Sequence, residues 1–86
     1  ARMRNTRLAG SIADALLAPM PGELSFAINR SGVASWGAVT DAEALAAVAF
    51  AARELKLVAE PGGAVALALA LSGRLIQPGE TVVVVI

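Results

Sequence analysis

Few of the side chains that do acid–base and nucleophilic chemistry occur in this sequence. Histidine, cysteine and tyrosine are all absent, which removes the usual general base, the thiol nucleophile and the commonest zinc ligand. One amine is left, Lys56. A Schiff-base lysine must be aimed into a pocket that tunes its pKa. Lys56 follows Arg53 and Glu54, where a solvated or snorkelling side chain is the ordinary outcome. The carboxylates offer more. Asp14 lies within Ser11-Ile12-Ala13-Asp14-Ala15-Leu16, and Glu60 opens Glu60-Pro61-Gly62-Gly63 ahead of a helical pattern. Asp14 can act as a helix cap or turn acid. Glu60 can satisfy amides at the positive end of the helix that follows. Gly62 and Gly63 permit close backbone approach, whether to a bound group or to a packed helix.

The composition says what must surround such residues. In 86 residues, 57% are apolar and 16% charged, against averages of roughly 45–50% and about 25%. A small domain has a high surface-to-volume ratio and needs more polar surface, not less. The chain therefore either packs against further protein or enters a membrane. The membrane option fails, because a spanning helix needs about 20 apolar residues and the longest charge-free stretch, Pro61 to Gly73, contains a proline and several glycines. Arg2, Arg4 and Arg7 ahead of Leu8 superficially resemble a signal peptide, but Asp14 interrupts the apolar core that one would need. Net charge is zero, so no long-range field favours nucleic acid, and the arginines read as a solvated cluster. The absence of cysteine excludes disulfides and favours the cytoplasm.

The chain reads as an irregular or frayed helical lead-in over 1–10, then an apolar cluster to Met20 and a break at Pro19-Met20-Pro21-Gly22. Residues 23–29 alternate through Leu24, Phe26 and Ile28, short enough for strand or helix. Val33 to Val39 reads as a short strand. Thr40-Asp41-Ala42-Glu43 has the form of a capping box, with Asp41 also favoured by the helix dipole. The helix it opens is expected to reach about Val58, mostly buried, with Leu45, Val48, Ala52, Leu55 and Ala59 as its apolar stripe. Pro61 to Ser72 alternates like a strand, but its alanines, Pro61 at the start and Gly73 just past the end favour a helix. A loop follows, and then Thr81 to Ile86, a β-branched run of the kind buried on both faces of a parallel sheet. The order is α/β in a single unit, and a strand of that type needs neighbours that this chain hardly supplies. Both ends look cut.

Four stretches together resemble the threonine/serine dehydratases, pyridoxal-phosphate enzymes of fold type II that include serine racemases. Ser11-Ile12-Ala13-Asp14-Ala15-Leu16 is similar to the family's T-I-A-D-G-L. Pro21-Gly22-Glu23-Leu24-Ser25-Phe26 is similar to P-G-E-L-T-F. Val39-Thr40-Asp41-Ala42-Glu43 is similar to V-S-D-x-E. The strongest is Leu55-Lys56-Leu57-Val58-Ala59-Glu60-Pro61-Gly62-Gly63-Ala64, similar to L-K-L-V-V-E-P-S-G-A. Their order and spacing cover nearly the whole chain. Ala15 departs from the commoner glycine and Gly62 from serine or alanine, which bears on exact substrate contacts.

The resemblance implies that residues 1–86 are the C-terminal part of a dehydratase catalytic domain, with helices packing on a mostly parallel sheet as in the tryptophan synthase β-like fold. It implies pyridoxal phosphate as cofactor, a β-hydroxy amino acid as substrate, and a homo-oligomer built with the rest of the catalytic domain. It places Glu60, Gly62 and Gly63 near the cofactor and Asp14 on the substrate side. The Schiff-base lysine and the phosphate-binding glycine loop fall in earlier sequence, and the S-G-G-N serine that meets the pyridine nitrogen falls after Ile86. The divalent-metal ligands of some relatives also lie upstream. No catalytic residue and no metal ligand are assigned within this chain, and the chain alone is expected to be inactive. The rival readings are a serine racemase, a 3-hydroxyaspartate dehydratase, and a non-catalytic α/β interaction module.

Overall fold

The structure, a computed structural model, describes residues 2–6 and 9–86. Its clearest helix start is the one that local chemistry dictates. The Thr40 hydroxyl accepts from the Glu43 amide at 3.1 Å and the Glu43 carboxylate accepts from the Thr40 amide at 2.8 Å, so the capping box forms and opens α2, Asp41–Phe50. Glu43 also receives Arg74 at 2.8 Å, while the same guanidinium donates to the Ala38 carbonyl. One arginine thus ties the lead-in to α2 to the end of α3, Val65–Ser72.

The two helices pack on each other through small side chains. Ala47, Ala51, Ala64, Leu67 and Ala68 form the buried cluster, with Val39, Val48, Phe50, Ala59 and Val84 resting against it. Alanine allows the close approach, and no large side chain is fully buried among the described residues. The helix does not continue regularly to Val58. It passes into a π-helical turn at Ala51–Leu55 and stops at Lys56, which is left-handed at φ 58°. There the Lys56 Nζ donates to the Arg53 carbonyl at 2.6 Å, closing a helix end as a basic side chain in the last turn can.

The predicted stripe on α2 is corrected accordingly. Ala44, Ala47 and Ala51 are buried, Val48 and Ala59 are half-buried, and Leu45, Ala52 and Leu55 are exposed. The small face meets α3, and the large apolar residues are left outside. The expectation of a mostly buried helix fails with it.

Residues 23–29, which periodicity leaves open, are helical and belong to α1, Glu23–Gly32. The helical choice is consistent with an acid in its first turn and Arg30 in its last. The helix expected from Pro61 begins later. Residues 61–64 are a turn and α3 starts at Val65. Gly73, at φ 72°, ends it as expected.

Among the described residues there is no strand. This corrects the strands predicted at Val33–Val39 and at Thr81–Ile86, and leaves the mostly parallel sheet without strands here. The reason is pairing: a strand exists through its ladder partners, and these two segments do not pair. Residues 2–6 and 9–10 are not helical, and the rest of the lead-in falls outside the described residues. No helix is long and apolar enough to cross a membrane among the residues described.

Candidate functional site

Pro61 forces the residue before it out of the helical region, and the chain turns at Glu60 into the start of α3. Within that turn the Glu60 carboxylate accepts from the Gly62 amide at 3.0 Å and from the Gly63 amide at 2.6 Å. The absence of a side chain at Gly62 makes this possible. A β-carbon there would stand 2.8 Å from Glu60 Oε1. Glu60 thus satisfies two amides of the turn ahead of α3 rather than amides of the helix itself, whose N-cap Ala64 receives no side-chain hydrogen bond, and its side chain remains exposed.

The same hypothetical β-carbon would stand 3.4 Å from the β-carbon of Ala15. The single-turn 3-10 helix Asp14–Leu16 therefore lies against the Glu60 turn, and the structure brings the Asp14 segment and the Glu60-Gly62-Gly63 segment together. Asp14 itself is exposed and Ala13, which precedes it, is buried. Lys56 stands apart in role, its amine spent on a helix carbonyl.

Sequence reasoning misses what holds the Asp14 turn in place. Asp41 Oδ1 accepts from the Ser11 hydroxyl at 2.9 Å and Asp41 Oδ2 accepts from the Ile12 amide at 3.3 Å. Ser11 Oγ accepts in turn from the Ala13 amide at 3.1 Å. In the sequence Asp41 reads only as an acid at a helix start. Its partners lie 30 and 29 positions earlier, and no local pattern announces a contact of that range.

A sequence profile of the pyridoxal-phosphate dependent enzymes matches residues 1–86. The chain belongs to that family. Among solved structures it is similar to a threonine deaminase from T.th., with a TM-score of 0.78 and 29% identity over 88% of this chain. The chain spans 28% of that deaminase's length. No curated protein matches the sequence. The resemblance carried by the ordered motifs is thereby shown at the level of the pyridoxal-phosphate dependent family, with a threonine deaminase as a similar solved structure.

The family's cofactor can be tested against this turn. The Gly62 and Gly63 amides are already taken by Glu60, so the turn does not cradle a phosphate. What it offers is half-buried glycine backbone beside an exposed carboxylate.

Proposed function

We propose that this chain is the C-terminal part of the catalytic domain of a pyridoxal-phosphate-dependent threonine/serine dehydratase, working in the cytoplasm as a homo-oligomer. The observation that carries this reading is the similarity to a threonine deaminase over 88% of the chain. The reaction removes the α-proton and β-hydroxyl of a β-hydroxy amino acid as water, and hydrolysis of the product gives a 2-oxo acid and ammonia. When bound, the cofactor supplies the electron sink for loss of the α-proton.

The contribution of this chain is one wall. Glu60, Gly62 and Gly63 would flank the cofactor ring, and Asp14 would face the substrate side. Holding the wall rigid matters because misplacement by about 1 Å can cost on the order of 100-fold in rate. The parallel sheet of the complete domain would supply ladder partners for Thr81–Ile86.

Reading the flanking gene and assaying its full-length product tests the proposal. A lysine in an S-x-K-x-R-G-A-like context upstream, S-G-G-N after Ile86, and 2-oxo acid release from threonine or serine are expected. Racemisation of serine without 2-oxo acid would reassign the site to a racemase. Release from 3-hydroxyaspartate alone would reassign the substrate. Neither motif, with no cofactor bound, would leave an interaction module.

A further inference from the structure

We propose that Asp41 and Ser11 are positioning residues that set the spacing between the two turns of the candidate site; this rests on the dehydratase reading for its catalytic consequence, though not for its geometry. Asp41 belongs to the first turn of α2, which the capping box and the packing against α3 fix in place. From that fixed point its two carboxylate oxygens reach the Ser11 hydroxyl and the Ile12 amide, and Ser11 passes the connection to the Ala13 amide. The next residue is Asp14, and Ala15 is the one that meets Gly62.

The path is continuous and short. It runs from the start of α2 through one carboxylate and one hydroxyl to the turn carrying Asp14. The hydroxyl is both donor and acceptor, so removing it breaks two links at once. Among the described residues, the other contacts of the Asp14 turn are the burial of Ala13 and the approach of Ala15 to Gly62. Its own hydrogen bonds are local, from the Leu16 amide to the Ala13 carbonyl and from the Leu17 amide to the Asp14 carbonyl, and none of Asp14–Leu16 is buried. A substrate-facing turn on such a short tether is placed by the latch.

The test uses the full-length protein with Ser11→Ala, Ser11→Thr, Asp41→Ala and the double alanine variant. A hydrogen bond to a charged group corresponds to roughly tenfold or more in an equilibrium. Ser11→Ala and Asp41→Ala are expected to raise KM for the amino acid by about that factor, with kcat changing less. Ser11→Thr is expected to restore KM. The double variant should be worse than either single one but by less than the product of their effects, because the Ser11–Asp41 bond is lost in both while the Ala13–Ser11 and Ile12–Asp41 bonds are each lost in only one. Amide hydrogen exchange gives a second readout that needs no activity: exchange should speed up over residues 12–17 while residues 44–51 and 64–72 stay protected. Unchanged exchange at 12–17 would overturn the proposal whether or not the protein is a dehydratase. So would a fall in kcat alone, tracking lost stability, with KM unmoved. A wild-type protein with no dehydratase activity would sink the functional reading, and the exchange experiment would still decide the latch.

Discussion

Gly62 and Gly63 look interchangeable in the sequence and are not so in the fold. Neither has the positive φ that would demand glycine; that conformation is found at Gly10, Gly73 and Gly79. The difference is space. A β-carbon at Gly62 would fall 2.8 Å from Glu60 Oε1, whereas one at Gly63 would meet nothing nearer than 3.5 Å. Gly62→Ala should therefore push the carboxylate off its amides and cost about 1 kcal/mol, the scale of a lost hydrogen bond. Gly63→Ala should be tolerated. Urea midpoints of the two variants in the full-length protein check the ordering. Glu43 makes the pH prediction at this scale. The Thr40 amide bonded to it, followed by the Arg74 guanidinium, holds its carboxyl below the ordinary range against a weaker desolvation effect. A lowered folded pKa gives stabilisation that is complete above the unfolded value and is lost as pH falls through the folded one. Glu43→Gln, which keeps an acceptor for the capping box, should therefore flatten the acid limb of the urea midpoint plotted against pH. An unchanged acid limb would show that Glu43 contributes nothing to it.

Among the elements, α2 is legible because its start is written in four consecutive residues, Thr40 to Glu43. Thr40→Ala should cost about 1 kcal/mol, Thr40→Ser should recover most of it, and thermal melts of the full-length protein would show both. The end of the helix is not legible, since a π-helical turn and a left-handed Lys56 leave no signature in alanine-rich sequence. That Lys56 conformation makes a sharper prediction possible. A non-glycine residue there costs roughly 1–2 kcal/mol, offset in part by the amine on the Arg53 carbonyl. Lys56→Gly should leave stability unchanged or slightly raised in thermal melts. It should also leave cofactor absorbance and dehydratase activity intact, because the amine is engaged in closing a helix. Loss of the cofactor band in that variant would make Lys56 the cofactor's partner after all and overturn the assignment of that role to earlier sequence. The apolar stripe of α2 is misjudged from sequence for a related reason. Periodicity identifies a face by its larger residues, and here Ala44, Ala47 and Ala51 are buried while Leu45 and Leu55 stay outside.

For the whole molecule the surface area carries the argument. The chain exposes 6409 Å², whereas a compact monomer of 8.7 kDa should expose roughly 4,700 Å² by size scaling. Its radius of gyration is 14.1 Å, against about 12 Å for a compact domain of this length. Much of the excess is apolar: Leu24, Trp36, Val58, Val83 and Val85 are each more than 70% exposed. A groove of about 450 Å³ opens between α3 and the terminal segment, walled by Leu69, Leu75, Ile76, Val82 and Val84. The buried cluster is mostly alanine. Each buried methyl contributes about 0.8 kcal/mol, and fixing each backbone residue costs about 1–2 kcal/mol, so this core does not by itself offset the ordering of the chain. The composition alone points to that imbalance, although it does not say which faces carry it. The 86-residue chain on its own should therefore bind a hydrophobic dye such as ANS and melt without a sharp transition. In the full-length protein residues 44–51 and 64–72 should resist amide exchange. A monomer of the isolated chain that unfolds in a single cooperative step without binding the dye would contradict the catalytic-domain reading and favour the free-standing interaction module. Comparing exchange in the isolated chain and in the full-length protein separates those outcomes, because a module that folds alone would protect the same residues to the same degree in both.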